Sequence, residues 1–500
     1  MTTLWFGGTF YTMQAPGHTT DAVLTDGHKI VALGEDAKAQ HATQHIDLAG
    51  AYVYPGFVDS HLHTIGYGEK LLHLDVSQFT KRAAMLEALA KRMQQAQPDE
   101  WVIAIGYNEA QFDDSAYPTL AELDALGDAH LIIKRQCHHL IIANSKALAF
   151  AGITEATTVA GGVVEADKGV LKDAALYLIV NHMPHITPAY IERALTLALD
   201  SLLAMGVTGG HSEDLSYYGP PSQPFEVFTR LAQGRFKAHL LQHHATFAVS
   251  NTFQATRYVA LGAMKIFVDG AFGGHTAALS EPYVDKASTG MLVHTTAELT
   301  ALVREARVAR REVAVHVIGD RAIATILDVF EALPPQKGQH DRIIHCSLVN
   351  DSLLERLARM PVIIDMQPQF AHESRALLTE RLGESRMPYV HPLGSLLCAG
   401  ICVAGGSDAP IEHPDPLRII EAAITHPNPS ERLTRYEAVQ LLTTNAAHAI
   451  HERERGKIAP GFDADFSVFT GDIFSADLTR IHACKTVVDG RIVYDKALER

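Results

Sequence analysis

Short apolar segments of strand length alternate with longer helix-like segments through the middle of the chain. The strand-like segments include residues 131–133 and 313–318, and the helix-like ones include 84–95, 190–205 and the stretch after the capping-box pair Thr295 and Glu298. Such alternation predicts β-α-β units around a parallel sheet. A run of this length favours a closed (β/α)8 barrel over an open sheet, because closure removes both sheet edges.

The two ends of the chain carry a different pattern, in which short strands are joined by tight turns. Residues 22–33 and 485–494 each read as two strands around an Asp-Gly turn, which is a hairpin signal. We therefore expect one small β-sandwich composed of residues 1–54 and 450–500, and a barrel domain over residues 55–449. The alternative, two unrelated β extensions, remains open at this point.

Composition narrows the class of protein. Of the 500 residues, 47% are hydrophobic and 20% are charged, which is usual for a globular chain with a large core. The formal charge of −15 argues against a surface for nucleic acid or for an acidic membrane. The five cysteines are scattered, and the first residues lack both a basic region and a long apolar run, so we expect a cytoplasmic protein without a membrane span.

The first candidate site lies in residues 55–63. Pro55 and Gly56 interrupt the chain, an apolar strand follows, and His61 and His63 stand one residue apart at its end. Alternate strand positions share a face, so both imidazoles can bind one metal ion. They can equally be two incidental histidines at the end of a strand.

Further strand ends also carry polar residues. Lys265 lies inside an apolar strand, where it must pair with an acid such as Asp269, lose its proton, or react with CO₂ to form a carbamate. His316 and His345 end successive apolar strands, and Asp408 follows a strand of small residues that let another group approach. Taken singly, the two histidines read as satisfied core residues and Asp408 reads as a helix N-cap.

In a (β/α)8 barrel these strand ends meet at the carboxyl-terminal face, where barrel enzymes carry their active sites. Nitrogen and oxygen donors without a thiolate suit one or two Zn²⁺ ions, with Mn²⁺, Fe²⁺ or Ni²⁺ as alternatives. A divalent ion brings the pKa of water to about 7, and Asp408 would accept the proton and pass it to the leaving group. The residues thus predict hydrolysis at a carbonyl-like carbon.

The order of these motifs resembles the amidohydrolase superfamily, and more closely its branch that includes the N-substituted formamide deformylases, amidohydrolase family 3. The segments that carry the resemblance span nearly the whole chain: 54–63, 144–148, 265–270, 316–322, 406–410, 443–447 and 456–466. The resemblance implies a metal-dependent hydrolase of carbon–nitrogen bonds other than peptide bonds. It also implies a (β/α)8 barrel with a β-sandwich built from both chain ends.

The resemblance also implies roles for residues at matching positions. The metal site would comprise His61, His63, Lys265, His316, His345 and Asp408. Lys265 would be carboxylated and Asp408 would shuttle the proton, although Lys134, which also follows an apolar strand, is a rival for the carboxylated lysine. Substrate would be bound by Tyr107, Asn108, His139 and Gln367. The family often has Asp-Gly-His where this chain has residues 137–139, Cys-His-His, which indicates an altered pocket.

We therefore expect an amidohydrolase that cleaves an amide-like or formamide-like bond of a small molecule. A deaminase, or a hydrolase of cyclic amides or lactones, would use the same site, and only the substrate pocket distinguishes these enzymes. A non-catalytic scaffold or binding protein is disfavoured, because every position of the metal pattern is filled. Relatives are often dimers, so a homodimer is expected, whereas nucleic acid and membrane are not expected partners.

Overall fold

The computed structural model describes the chain except residues 97–99, 110–111, 113–115, 136–139, 160–161, 174, 184–185, 374 and 497–500. The chain divides into two compact units. The first unit comprises residues 1–67 and 191–500, and the second comprises residues 68–190. The predicted barrel domain, residues 55–449, contains the whole second unit, which the sequence pattern did not separate from the barrel.

The first unit begins with strands of a terminal sheet and continues into the first strand of a second sheet. In chain order these are β1 (Thr2–Tyr11), β2 (Thr19–Asp26), β3 (Lys29–Leu33), helix α1 (Gly34–Lys38), β4 (Gln44–Asp47), β5 (Tyr52–Pro55), β6 (Phe57–Leu62) and helix α2 (Thr64–Leu72). All six residues of β6 are buried, which is usual for a strand of a parallel sheet covered on both faces.

The second unit has a sheet of its own. Its strands are β7 (Leu74–Asp75), β8 (Trp101–Tyr107), β9 (His130–Arg135), β10 (Leu140–Ala143), β11 (Gly162–Glu165) and β12 (Val170–Asp173), and its helices are α3 (Arg82–Gln94), α4 (Leu120–Asp124), α5 (Ser145–Phe150) and α6 (Leu176–Val180). The strand order is β11-β12-β10-β9-β8-β7. Met85, Leu89 and Met93 of α3 recur every four residues and are buried in the same apolar cluster as Val102 and Ile133.

The remaining strands of the first unit alternate with helices, as the apolar pattern predicts. In chain order they are α7 (Pro188–Ala204), β13 (Val207–Ser212), α8 (Ser222–Leu231), β14 (Lys237–His243), α9 (Phe247–Ser250), β15 (Val259–Phe267), α10 (Thr296–Val308), β16 (Val313–Val317), α11 (Asp320–Ala332), β17 (Asp341–His345), α12 (Asp351–Leu357), β18 (Val362–Met366), α13 (Phe370–Glu373), α14 (Arg375–Leu382), α15 (Leu393–Cys398), β19 (Cys402–Gly405), α16 (Pro416–Ile424), α17 (Arg435–Leu441) and α18 (Thr444–His448). Strands β13 to β19 join β6 in an eight-stranded parallel sheet, in the order β19-β18-β17-β16-β15-β14-β13-β6.

The edge strands of this parallel sheet, β19 and β6, approach each other at their carboxyl ends. The backbone N–H of Asp408 donates to the carbonyl of His61 at 2.8 Å, and the N–H of His63 donates to the carbonyl of Ala409 at 2.7 Å. Gly406 permits this approach, because a Cβ atom at that position would lie 2.6 Å from the backbone nitrogen of His61. The sheet is therefore a nearly closed barrel, as predicted.

The capping box predicted at the start of α10 is confirmed. The Glu298 N–H donates to the Thr295 hydroxyl at 3.3 Å, and the Thr295 N–H donates to the Glu298 carboxylate at 2.8 Å. The helix then buries Leu299, Val303 and Ala306 against the barrel core. Among the described helices, none is both long and apolar enough to cross a lipid bilayer.

The chain ends in β20 (Phe466–Phe469), β21 (Ala483–Val488) and β22 (Arg491–Asp495), which return to the terminal sheet. Both predicted hairpins are confirmed, since β2 pairs antiparallel with β3 and β21 pairs antiparallel with β22. Strand β20 pairs with β5, so the two chain ends build one eight-stranded sheet and are not unrelated extensions. A second packed layer, and the domain boundaries 1–54 with 450–500 and 55–449, stay predictions.

Candidate metal centre

The six predicted metal ligands lie at or just beyond the carboxyl ends of β6, β15, β16, β17 and β19. Their polar atoms form one cluster in the first unit. Lys265 Nζ lies 3.2 Å from His61 Nε2, and the Nε2 atoms of His61 and His63 each lie 3.5 Å from Asp408 Oδ1. His345 closes the group, because its ring lies 5.9 Å from that of His61 between centroids.

Two of these histidines direct nitrogen lone pairs at each other. We assign the proton of His316 to Nε2, which lies 3.1 Å from the Gly270 carbonyl, and the proton of His345 to Nδ1, which lies 2.7 Å from Gln367 Oε1. The amide of Gln367 is oriented by its own N–H bond to the Asp365 carbonyl. The remaining nitrogens, His316 Nδ1 and His345 Nε2, then face each other at 3.0 Å.

A cation fits between these two nitrogens. Burial lowers the pKa of His345 to about 4 and lowers that of His316 well below its ordinary value, so neither ring carries a second proton at neutral pH. Two facing lone pairs repel, and a metal ion removes that repulsion by accepting both. Metal-binding histidines typically donate their other N–H to a carbonyl or amide, as both rings do here.

His63 and Asp408 form a second pair, a salt bridge between an imidazole ring and a carboxylate. His63 Nδ1 donates to the Glu213 carbonyl at 2.8 Å, which leaves Nε2 facing the Asp408 carboxylate. Burial lowers the pKa of His63, but the Asp408 carboxylate outweighs it and raises the pKa to about 9. Burial raises the pKa of Asp408, yet the hydrogen bond with His63 helps to hold it below its ordinary value. The donor atoms of His61, His63 and Asp408 lie within 4.8 Å of one another.

Lys265 does not pair with Asp269, so the pairing offered as its simpler explanation is wrong. The carboxylate of Asp269 instead accepts backbone N–H groups of Ala278, Ile318 and Gly319 at 2.8 to 3.0 Å. The Lys265 side chain is fully buried, and burial lowers the pKa of its ammonium group. The neutral amine required for reaction with CO₂ is thereby favoured.

The rival lysine, Lys134, lies in β9 of the second unit. Its side chain is largely buried, and burial lowers its pKa while Glu69 raises it. His73 lies near enough for Lys134 to lower its pKa in turn. Lys265 is the lysine that lies beside His61.

Two of the clustered residues hold a left-handed backbone conformation. The φ angle of His345 is +72° and that of Asp408 is +55°. Residues other than glycine adopt such angles at a cost of about 1–3 kcal/mol each, and they concentrate at functional sites. His345 is the last residue of β17 and Asp408 lies three residues beyond β19, so each positive φ angle occurs where the chain leaves a barrel strand.

The four predicted substrate-binding residues occupy different places. Gln367 is buried and bonds to His345, so it orients that ring. Tyr107 ends β8 in the second unit, is buried, and donates its hydroxyl proton to the Ala116 carbonyl at 3.0 Å; Asn108 follows it in the same unit. His139 lies outside the described residues. Substrate contact by these four residues stays a prediction.

Sequence reasoning missed Glu213, which lies beside the cluster. Its buried Oε2 accepts the hydroxyl proton of Tyr217 at 2.8 Å and lies 3.8 Å from His63 Nδ1, while its Oε1 has no hydrogen-bond partner among the described residues. Burial raises the pKa of this carboxyl group. Glu213 directly follows β13, so the rule that selected Asp408, an acid just beyond a barrel strand, would have found it.

Aromatic rings line the imidazoles of the cluster. The Tyr217 ring lies 5.9 Å from His63, Phe267 lies 5.1 Å from His316, and Phe370 lies 5.9 Å from His345, all between centroids. These rings restrict the imidazoles to their observed orientations. Apolar walls also lower the local dielectric, which strengthens the attraction between the donor atoms and a cation.

Comparison with known proteins gives the family. The amidohydrolase family profile matches residues 44–494. One relative is named as an amidohydrolase, YtcJ of Bacillus subtilis strain 168. It is 43% identical over 531 aligned positions that cover 99% of this chain and 100% of YtcJ. The N-substituted formamide deformylase of Arthrobacter pascens is 26% identical over 540 positions, with 97% of each chain covered.

A solved structure agrees with these sequence matches. An uncharacterized metal-dependent hydrolase from Pyrococcus furiosus superposes with a TM-score of 0.81 at 26% identity, over 95% of this chain and 100% of the other. The profile match, the relatives and the shared fold extend over nearly the whole chain. The chain belongs to the amidohydrolase family, and it is a metal-dependent hydrolase of the class that acts on carbon–nitrogen bonds other than peptide bonds.

Proposed function

We propose that this protein hydrolyses an amide-like or formamide-like carbon–nitrogen bond of a small molecule. Similarity to the Arthrobacter pascens formamide deformylase supports this choice of bond. The chain would hold one or two divalent ions, Zn²⁺ first and Mn²⁺, Fe²⁺ or Ni²⁺ as alternatives, because its donors are imidazoles and carboxylates. The proposed ligands are His61, His63, carboxylated Lys265, His316, His345 and Asp408.

The observation that carries the proposal is the 3.0 Å distance between His316 Nδ1 and His345 Nε2, because the proton assignment leaves a lone pair on each of these nitrogens. A folded chain gains nothing from two unprotonated nitrogens held at this distance, since each forgoes a hydrogen bond. The hydrogen bonds to Gly270 and Gln367 keep both rings in this orientation. Two ring nitrogens that hydrogen bonds orient toward one position are the arrangement that a preorganised metal site requires.

In the proposed mechanism Asp408 moves the proton. A bound divalent ion supplies a nucleophilic water at neutral pH and polarises the carbonyl of the substrate. Asp408 is ionised at neutral pH, since the hydrogen bond with His63 helps to hold its pKa low, so its carboxylate can accept a proton and deliver it to the leaving nitrogen. His345 is not assigned this role, because its free nitrogen, Nε2, faces His316 Nδ1 at 3.0 Å and is a proposed ligand of the ion.

Carboxylation would convert Lys265 from a competing cation into a ligand. The neutral amine adds to CO₂ and releases one proton, which leaves a carbamate with one negative charge and two oxygen donors. As an ammonium group, Lys265 lies 3.2 Å from His61 Nε2, close enough to repel a metal ion at that nitrogen. The carbamate would reverse the sign of this charge and would offer oxygen donors to a divalent ion.

One experiment tests these assignments together. Metal-free protein is reloaded with Zn²⁺ with and without bicarbonate, and is assayed against N-formyl, N-acyl and cyclic amide substrates. We expect activity toward N-formyl or N-acyl substrates, recovery that requires bicarbonate, and a loss of more than about 100-fold in Asp408→Asn. The matched control Asp328→Asn, on an exposed helix position, should retain activity.

Each opposite outcome rejects a specific part of the proposal. Absence of a tightly bound transition metal would reject the metal-dependent mechanism, and recovery without bicarbonate would reject the carbamate at Lys265. Unchanged turnover in Asp408→Asn would remove that residue from proton transfer. Activity confined to ring opening or to deamination would reassign the bond while keeping the same metal centre.

The same proposal places the enzyme in the cytoplasm, as a homodimer acting on a small-molecule substrate. The few scattered cysteines support a reducing compartment. Light scattering of the full chain measures the oligomeric state, and a monomer at all concentrations would reject the dimer.

A further inference from the structure

A second cluster of metal-binding side chains lies at the amino-terminal end of the barrel. Glu312 directly precedes β16, His340 directly precedes β17, and His451 lies shortly after α18. One donor atom from each lies within 4.8 Å of the others. We call these three residues the distal cluster. His340 and His345 stand at opposite ends of β17, so about 16 Å of strand separates this cluster from the proposed catalytic ligands.

Hydrogen bonds fix the donor atoms of the distal cluster. His340 Nε2 donates to the Ala449 carbonyl at 3.2 Å, which leaves the lone pair on Nδ1. A metal-binding histidine commonly directs its second N–H at a backbone carbonyl in this way. Glu312 Oε1 accepts the backbone N–H of His340 at 2.8 Å and lies 2.6 Å from His451 Nε2.

An ion can reach the distal cluster from solvent. The His451 side chain is 37% exposed to solvent, and His340 also lines a cavity of about 210 Å³ whose other lining residues are mostly apolar. His451 has a φ angle of +60°, which residues other than glycine adopt at a cost. This backbone turn brings its ring to 4.2 Å from that of His340 between centroids.

Charge balance distinguishes the distal cluster from a group of carboxylates near the same end of the barrel. Asp463, Asp465 and Asp489 also approach within 4.8 Å of one another, but Lys237 Nζ lies 2.7 to 2.8 Å from all three and supplies the cation. In the described part of the chain, Glu312 forms no ion pair with a lysine or an arginine; its partner is the ring of His451, 2.6 Å away, which is itself a member of the distal cluster. The distal cluster therefore has room for an external cation.

We propose that Glu312, His340 and His451 bind a divalent transition-metal ion such as Zn²⁺. Two imidazole nitrogens and one carboxylate oxygen form a zinc donor set that leaves a fourth position for water. The ion would tie the starts of β16 and β17 to the segment after α18, and it would stabilise the folded chain by binding it preferentially. This second site goes beyond the proposed hydrolysis and uses none of its ligands.

Counting metal ions tests this site directly. The full chain, free of any affinity tag, is stripped with a chelator, reloaded with Zn²⁺, passed through gel filtration and measured by elemental analysis. We expect His451→Gln and His340→Gln to hold one ion per chain fewer than the wild type. His482→Gln removes an exposed histidine elsewhere and should lose none. Because His451 is exposed, its substitution leaves the core intact.

A variant lacking the catalytic donors identifies which ion is lost. The double variant His61→Asn/His63→Asn should still bind at least one Zn²⁺ and show a rise in Tm on its addition. Adding His451→Gln to that double variant should remove the bound Zn²⁺ and abolish the rise in Tm. Equal metal content in the wild type and His451→Gln would overturn the proposal, whether or not the protein hydrolyses amides. Metal content that falls only with His61 and His63 would also overturn it.

Discussion

Two clusters of buried polar groups in the first unit differ in whether side chains of the protein balance their charge. In the metal centre, the nitrogens of His316 and His345 face each other without a proton between them, and Glu213 keeps a buried oxygen without a partner among the described residues. The carboxylate cluster, which consists of Asp463, Asp465 and Asp489, is filled by cationic side chains of the protein itself. Lys237 contacts all three carboxylates at 2.7 to 2.8 Å.

Further cations complete the carboxylate cluster. Arg257 forms a two-pronged contact with Asp489 at 2.6 and 2.8 Å, Lys29 lies 2.8 Å from Asp463, and Arg455 lies 3.2 Å from Asp465. Three converging acids are therefore not by themselves a metal site. The comparison teaches that the test of a metal site is what already balances its charge, and by that test the metal centre is incomplete without a cation.

Replacing Lys237, the lysine that contacts all three acids of the carboxylate cluster, gives the largest expected loss of stability. Lys237→Met leaves three carboxylates facing one another, and breaking a buried pair in this way typically costs about 3–5 kcal/mol. Urea unfolding of the wild type and the variant measures the change in unfolding free energy. The control Arg230→Met removes an exposed cation paired with Glu192 and should leave the unfolding free energy nearly unchanged. Similar unfolding free energies for wild type and Lys237→Met would mean that the carboxylate cluster is not held by its lysine.

Removing the hydrogen bond that orients His345 in the metal centre should produce the next largest effect. Gln367→Leu removes the acceptor that fixes the proton of His345 on Nδ1, so the ring can turn or change tautomer. Loss of such an orienting group typically costs about 10–100-fold in metal affinity or activity. Metal titration with a chelating competitor measures the affinity, and the exposed Gln254→Leu serves as the control. Equal affinities in Gln367→Leu and wild type would show that His345 needs no orienting partner.

The smallest effect is a difference in acid sensitivity. Cationic neighbours, Lys237 first for Asp463 and Arg257 first for Asp489, outweigh burial and hold both carboxyl pKa values below the ordinary 3.8. A lowered pKa in the folded state stabilises the protein above the unfolded value, and this contribution is lost as pH falls through the folded one. We expect the unfolding free energy of the wild type to decline below about pH 4. The decline should be shallower in Lys237→Met, and parallel curves for the two proteins would contradict this account.

Local patterns in the sequence determined much of this protein. Strand ends with His61, His63, His316, His345 and Asp408, the capping box of α10 and both terminal hairpins follow from spacings of a few residues. Such features depend on side-chain alternation, turn geometry and backbone hydrogen bonds between near neighbours, which a single sequence reveals. The nearly closed barrel also followed, because closure removes the two sheet edges that a long run of β-α-β units would otherwise leave.

Only the tertiary structure decided which polar groups are paired. Lys265 meets His61 instead of Asp269, and Lys237 meets Asp463, 226 positions away, so the two lysines have opposite surroundings despite similar apolar sequence contexts. The proton positions on the histidines likewise depend on Gly270 and Gln367, which the pairing of β15 with β16 and of β17 with β18 brings beside the two rings. Charge balance arises from distances between distant segments, and no periodicity along the chain encodes those distances.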